Sequence, residues 1–534
     1  MAELEKIIWI SIILIIIISV KDKIKLALPI LLVIAGLVFS ITGLIPSIDM
    51  SPEMVFYVVL PPILFDAAWN TSIPDFKKEF FKISVLAIGL VFLTTTIIAI
   101  IVHAVIPGFS WPVAFVLGAI ISPPEAVAAT SITKTLPLPQ KLITILEGES
   151  LLNDASALIA YKCAVIALSS GFFSFWDAGL QFISISLGGI VIGILIGLLF
   201  LKLYPYFNGN SSTETFAVVL LPFAAYSLAE HLGYSGVLAV VLLGMFLSWN
   251  SISLFTTESR MQMGHFWEVI IFILNGWVFL MLGMQLPYII SNISQKEIPV
   301  LILYGLLIFF VLVIIRLMVL LIFPVFTDKT LGKEGEFLTS SKKEYIILSW
   351  SGMRGVVSLA AALALPLTNN QQNIIEQRST ILFLSFIVII FTLLIQGLTL
   401  PRLINMIKPS VPDKQKEKEL NQTLLKRSIV FLKDRQPENI KIKSELKKMI
   451  EKLEKEDLLI IQNNNDSEWS PCTDWKKDYF KLELQLAEYQ RKVLIEIYHK
   501  GQFTLEIIRK KESELDFWTT TIRHEIETID HYSE

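Results

Sequence analysis

Residues 147–156 read Glu-Gly-Glu-Ser-Leu-Leu-Asn-Asp-Ala-Ser, inside a run otherwise apolar enough to cross a bilayer. Three carboxylates (Glu147, Glu149, Asp154) and the amide of Asn153 are costly at membrane depth. A central Asp alone opposes insertion by about 2.5–3.5 kcal/mol. A chain keeps such groups where they face a protein interior or a water-filled path, and there they commonly handle ions or protons. On a helix, Glu147, Ser150 and Asp154 stand at i, i+3 and i+7 along one face, while Glu149 and Asn153 form an adjacent i, i+4 pair. The stretch predicts a membrane fold with an ionisable site inside it.

Composition agrees. Of 534 residues, 54% are hydrophobic and 17% charged, and the mean hydropathy is +0.63. Soluble domains carry about 25% charged residues. The net charge of −3 averages an apolar part and a charged tail, so it designates no partner, and nucleic acid is not expected as one. The two cysteines, Cys163 and Cys472, give neither a disulfide framework nor metal-ligand spacing. The start, Met-Ala-Glu-Leu-Glu-Lys, lacks the basic region and cleavage site of a signal peptide and reads as the flank of a first spanning helix.

Windows of about 20 apolar residues give an all-α polytopic chain of thirteen transmembrane helices: 4–20, 24–46, 52–69, 81–107, 111–133, 140–171, 176–205, 213–231, 235–250, 264–291, 297–324, 342–366 and 377–405. An odd number sets the termini on opposite sides. Alternate loops on one side hold Lys21, Lys23, Lys25, Lys77, Lys78, Lys82, Lys134, Lys141, Lys202, Arg260, Lys329, Lys333, Lys342 and Lys343; the opposite loops hold Lys296 and Arg378. Basic loops stay cytoplasmic, which puts the N-terminus outside and the C-terminus inside a cell membrane. The expected domains are a transmembrane part, 1–408, and a cytoplasmic helical tail, 409–534. Helical periodicity in the tail runs over 440–461, 479–497 and 503–529. The tail's ligand is not designated by its sequence, and its basic cluster at Lys414, Lys416 and Lys418 is interleaved with glutamates, which weakens an attraction to anionic lipid.

Two spans are interrupted. Span five contains Ser122-Pro123-Pro124-Glu125-Ala126-Val127, where each proline removes a donor and crowds the preceding turn. Span twelve contains Ser351-Gly352-Met353-Arg354-Gly355-Val356, where glycines loosen the helix around an arginine. The two breaks occupy equivalent places if spans 1–6 and 8–13 are inverted repeats joined by span seven. Discontinuous helices in matching positions mark secondary transporters, with the site beside the breaks, since unwound backbone is tolerated only where it lines a cavity or is buried in protein. Glu125 and Arg354 put a charge on each break. Asp66 in span three is a further candidate, balanced against a helix-terminal role. Arg316 is expected to snorkel or to form a structural pair, Lys162 to be a counter-charge or to line an exit, and His103 to be a satisfied histidine. A channel or an ion sensor would also use intramembrane acids. An enzyme is not expected: no His-rich metal set, nucleophile elbow or nucleotide loop occurs.

These motifs, with Asn275-Gly-Trp-Val-Phe-Leu-Met-Leu-Gly-Met-Gln-Leu in span ten, resemble the monovalent cation:proton antiporters of the Na+/H+ exchanger type over nearly all of 20–405. The pattern between Glu488 and Asp516 is similar to the tail of a bacterial branch. The resemblance implies a homodimer in membrane lipid whose core domain carries the ion by an elevator-like movement, with no cofactor beyond the transported Na+ and H+. It implies that Asn153-Asp154 marks the electroneutral branch and that Asp154 binds ion and proton. Ser150 and the span-five break at Pro124 and Glu125 would supply further Na+ ligands, Asp66 would lie nearby, and Glu149 would hold Asn153 and pair with Arg354. Relatives often carry Thr-Asp-Pro or Pro-Asp-Ala where this chain has Pro124-Glu125-Ala126, which opens the choice among Na+, Li+ and K+.

Overall fold

The computed structural model describes residues 2–21, 28–42, 51–125, 138–170, 175–207, 210–255, 257–291, 293–331, 342–366 and 377–407, with scattered helical positions between 429 and 526. The chain divides into two compact units, Met1–Pro412 and Asp413–Glu534. The helices expected over 440–461, 479–497 and 503–529 lie largely outside the described residues.

The first unit is helical, with no strand among its described residues. Its helices are α1 (Ala2–Lys21), α2 (Leu28–Thr42), α3 (Pro52–Asn70), α4 (Ile73–Val105), α5 (Trp111–Ile121), α6 (Gln140–Ser170), α7 (Phe175–Leu203), α8 (Ser211–His231), α9 (Gly236–Leu254), α10 (Thr257–Met284), α11 (Ile298–Leu331), α12 (Lys342–Trp350), α13 (Val356–Leu363) and α14 (Arg378–Ile407). Helix therefore occupies part of every predicted span, α12 and α13 being the two halves of span twelve. Among the described residues, eight helices are long and apolar enough to cross a membrane, and four apolar stretches are shorter. One of the short ones is α5, cut off by the prolines that follow it.

Local signals set the helix starts. Ser51 caps α3 by accepting from the Met54 N–H, Ser72 caps α4 at Asp75, Asn210 caps α8 at Ser212 and Thr213, and Ser235 caps α9 at Leu238. Each cap satisfies an N–H that the first helical turn leaves without a partner. Packing between helices relies on close approach. A Cβ on Gly36 of α2 would strike the Leu280 carbonyl of α10, and one on Gly283 would strike the Val33 carbonyl of α2. Gly189 and Gly193 of α7 lie in the same way against the backbone of Ser235 and Ala239 at the start of α9. Small residues permit such contacts where lipid gives helices no hydrophobic reason to associate. The other face of α7 exposes Trp176, Leu180, Ile183, Leu187, Val191 and Leu195, as a lipid-facing helix does.

The helix that carries the opening motif, α6, is 31 residues long and packs against α4, α5 and α7. Residue 155 is its midpoint, so Asp154 stands at mid-helix.

Candidate functional site

The site begins with carbonyls that lost their donors. Pro123 and Pro124 carry no N–H, and the helix stops at Ile121. Arg354, from the other break, serves the carbonyls at the helix end, which no continuing turn reaches: its Nε donates to the Ile121 carbonyl at 3.0 Å and its Nη2 to that of Ser122 at 3.4 Å, while Nη1 donates to the Gly352 carbonyl. A guanidinium at a helix C-terminus also meets the negative end of the helix dipole. The unwound segments are joined directly by the Glu125 N–H, which donates to the Met353 carbonyl at 2.7 Å. Asn153 of α6 donates through Nδ2 to the Pro124 carbonyl at 2.6 Å. Thr392 accepts the Arg354 N–H at 3.0 Å, from a π-helical turn of α14 spanning Thr392–Gln396. Such turns recur at functional sites, where they turn side chains that a regular helix could not aim.

The end of α12 is treated alike. Arg316 of α11 donates through Nε to the Leu348 carbonyl at 3.0 Å. Its two terminal nitrogens grip Glu149, Nη1 to Oε1 at 2.5 Å and Nη2 to Oε2 at 2.7 Å. The partner expected for Glu149 was Arg354; the direct ion pair is with Arg316. Arg354 is within electrostatic range of both residues, but its hydrogen bonds serve the broken helix ends. The reason is reach: Arg316 approaches α6 from a neighbouring helix, while Arg354 is pinned inside the crossing.

Asp154 is 6% exposed and opens on a pocket shared with Pro123, Tyr161, Ser358 and Ala361. Glu125 lies near enough for its charge to act on Asp154. Two carboxylates so placed repel unless a cation or a proton comes between them. The Glu125 carboxylate packs on Gly355, where a Cβ would overlap it.

The structure thus brings Asp154, Asn153, Glu125 and Pro124 together, Pro124 through its carbonyl. Ser150 is half-buried and Asp66 accepts from Asn70 Nδ2 at 3.0 Å; of the expected site residues Asp154 lines the pocket, and Asn153, Glu125, Pro124, Ser150 and Asp66 are not among its lining. Lys162 pairs with Glu230 at 2.9 Å. His103 is satisfied by the Phe109 carbonyl at 2.7 Å and stacks on Trp111. Two pocket residues, Tyr161 and Ser358, went unnoticed in the sequence. Tyr161 stands at i+7 from Asp154, a spacing that could have found it. Arg378, a loop cation in the sequence, has a structural role. It donates to the Leu363 and Leu365 carbonyls at 3.1 and 2.8 Å, serving the end of α13. Buried carboxylates and unwound carbonyls are hard oxygen donors, the set that an alkali cation takes in place of water.

Comparisons with known proteins point the same way. A family model described as "Sodium/hydrogen exchanger, transmembrane" matches residues 10–406. An uncharacterized Na(+)/H(+) exchanger, YjcE of Escherichia coli, is 31% identical over 409 residues, 74% of either chain. A sodium, potassium, lithium and rubidium/H(+) antiporter of Bacillus pumilus is 32% identical over 367 residues, 67% of this chain and 54% of that protein. The solved structure of the sodium proton antiporter MjNhaP1 from Methanocaldococcus jannaschii superposes with a TM-score of 0.56 at 19% identity, covering 76% of this chain and 98% of that one, which shows a shared fold.

Proposed function

The chain belongs to the sodium/hydrogen exchanger family and is a multi-pass membrane protein, and from that premise we propose that it exchanges Na+ for H+, one for one, at Asp154. The observation that carries the reading is Asp154 itself: a mid-helix carboxylate, 6% exposed, opening on a pocket beside two broken helices. Cation and proton compete for this group, so one leaves as the other arrives, and the site crosses loaded and close to neutral. A full charge moving through the membrane potential changes free energy by about 2.3 kcal/mol per 100 mV. One-for-one exchange cancels that cost and leaves the ion gradients to set the direction.

In this reading Asn153 holds the unwound strand at Pro124, Glu125 shares the cation from its side, and Ser150 and Asp66 contribute as Asp154 moves. Arg354 compensates the ends of the broken helices, and Glu149 with Arg316 fixes α6 to α12. Residues 1–408 carry out exchange as a homodimer, with an elevator-like movement of the core; residues 409–534 form the cytoplasmic tail, and the N-terminus lies outside. K+/H+ exchange is the second reading, favoured by the Bacillus pumilus relative, named as an antiporter of potassium as well as sodium, and by Glu125, whose reach is longer than an aspartate's.

The test is purified protein in liposomes carrying a pH dye, challenged with Na+, Li+ and K+ at two membrane potentials. Cation-driven proton flux that is independent of potential and absent in Asp154→Asn supports the proposal. Persistent flux in Asp154→Asn removes Asp154 from the role, and flux that follows the potential removes electroneutrality.

A further inference from the structure

Among the described residues ten line the pocket at Asp154, and of these only Asp154, Tyr161 and Ser358 bring polar side-chain atoms to it; the others are Ala, Ile, Leu, Val and Pro. Asp154 and Tyr161 are seven residues apart on one face of α6, about 10 Å along the axis. Ser358 faces them from α13, three residues past Gly355 and so within a turn of the break, and is buried. Serines elsewhere in span twelve behave differently: Ser349 and Ser351 turn their hydroxyls back on the carbonyls of Tyr345 and Ile347 at 2.8 Å, whereas Ser358 lines the pocket.

A cation entering this space gives up hydration oxygens, and the apolar walls return none. Hydroxyl lone pairs are hard oxygen donors of the kind such an ion accepts in exchange. We infer that Ser358 is a ligand of the transported cation, with Tyr161 the next hydroxyl along its path, so that the second half of span twelve helps to choose among alkali ions. The inference rests on the reading of Asp154 as the exchanging carboxylate. It differs from the expected ligand set, which came wholly from α6, the span-five break and Asp66.

The experiment reads half-saturating concentrations for Na+, Li+ and K+ in liposomes containing wild type, Ser358→Ala, Ser358→Thr, Ser358→Cys and Tyr161→Phe. Ser358→Ala is expected to raise the half-saturating concentration of the preferred cation about tenfold, roughly 1.4 kcal/mol for one lost oxygen, and to change the ratio between Li+ and K+. Ser358→Thr, which keeps the hydroxyl, holds that ratio near wild type. Ser358→Cys keeps the volume but offers a softer ligand, and weakens binding of every alkali ion. If Ser358→Ala fails to assemble, the Thr and Cys pair decides. A mere packing role would lower maximal flux while leaving the cation ratios alone in all three variants, and that result overturns the inference. Wild-type protein without cation-driven proton flux would instead defeat the proposed function, a separate outcome.

Discussion

Arg316 holds both carboxylate oxygens of Glu149, at 2.5 and 2.7 Å, with side-chain exposures of 3% and 2%. Glu149 sits five residues before Asp154 on α6, and the same guanidinium bonds the Leu348 carbonyl at the end of α12. One side chain therefore ties α6, the helix of Asp154, to a half-helix of the crossing. Fork-to-fork geometry makes such a pair directional as well as strong. Gly352 lies against the Arg316 side chain, and a Cβ there would press on it.

Breaking this pair from one side leaves a buried charge without compensation, which costs about 3–5 kcal/mol. Arg316→Met and Glu149→Gln should each lower the melting temperature of detergent-solubilised protein sharply. The double variant removes both charges and should recover most of the loss. Single variants that melt like wild type would contradict the clamp.

Arg354 offers a different test, because its donors serve backbone rather than a carboxylate. A lysine is a point charge without the planar fork and cannot reach the carbonyls of Ile121, Ser122 and Gly352 together. Each buried carbonyl left unpaired costs about 1–3 kcal/mol. Arg354→Lys should raise amide hydrogen exchange in 113–125 and around 353–355, and leave α7 to α9 as protected as before. Uniform protection in the variant would argue that the guanidinium is dispensable at the breaks.

The positions of the breaks were legible because proline and glycine act locally: Pro123-Pro124 cannot continue a helix, and Gly352 and Gly355 loosen the next one. The polar face of α6 was legible from its period alone. Pairings were not. Glu149 and Arg316 are 167 residues apart, Lys162 and Glu230 are 68 apart, and periodicity says which face a side chain leaves from but not which long cation reaches it. Arg354, inside a motif, attracted the assignment that belonged to Arg316. Ser358 escaped for the opposite reason: small polar residues are common at helix contacts in membranes, so one serine in an alanine-rich helix carries no signal until a pocket opens beside it.

The Lys162–Glu230 pair should prove asymmetric. Lys162 is 43% exposed and pairs with Glu230, whereas Glu230, 18% exposed, also accepts the Gly236 N–H at 3.1 Å, where α9 begins. A partly exposed ion pair contributes about 0.2–1 kcal/mol. Lys162→Ala should therefore cost little stability, and Glu230→Ala should cost more, since it also strips a helix start of an acceptor. Thermal unfolding of the two variants decides; equal losses would mean that the bond to Gly236 adds nothing.

The tightest steric relation in the crossing is between Glu125 and Gly355. A Cβ at Gly355 would fall on the Glu125 carboxylate, so Gly355→Ala must displace that group or open the break. If displacement is the consequence, the proposed site loses one carboxylate while Asp154 stays. The expected result is a half-saturating cation concentration raised roughly tenfold, equivalent to about 1.4 kcal/mol. Shortening the acid to Glu125→Asp withdraws its oxygens by about one bond, near 1.5 Å, and makes room for the methyl group. The pair Gly355→Ala with Glu125→Asp should then bind cation better than Gly355→Ala alone, although Glu125→Asp by itself gains nothing from the added space. Should the double variant be no better than the single, the glycine is needed by the backbone joined at Met353 and Glu125, not by the carboxylate. Cation titrations of proton flux on the four proteins of this cycle separate the two, because only the carboxylate explanation predicts a coupling between the sites.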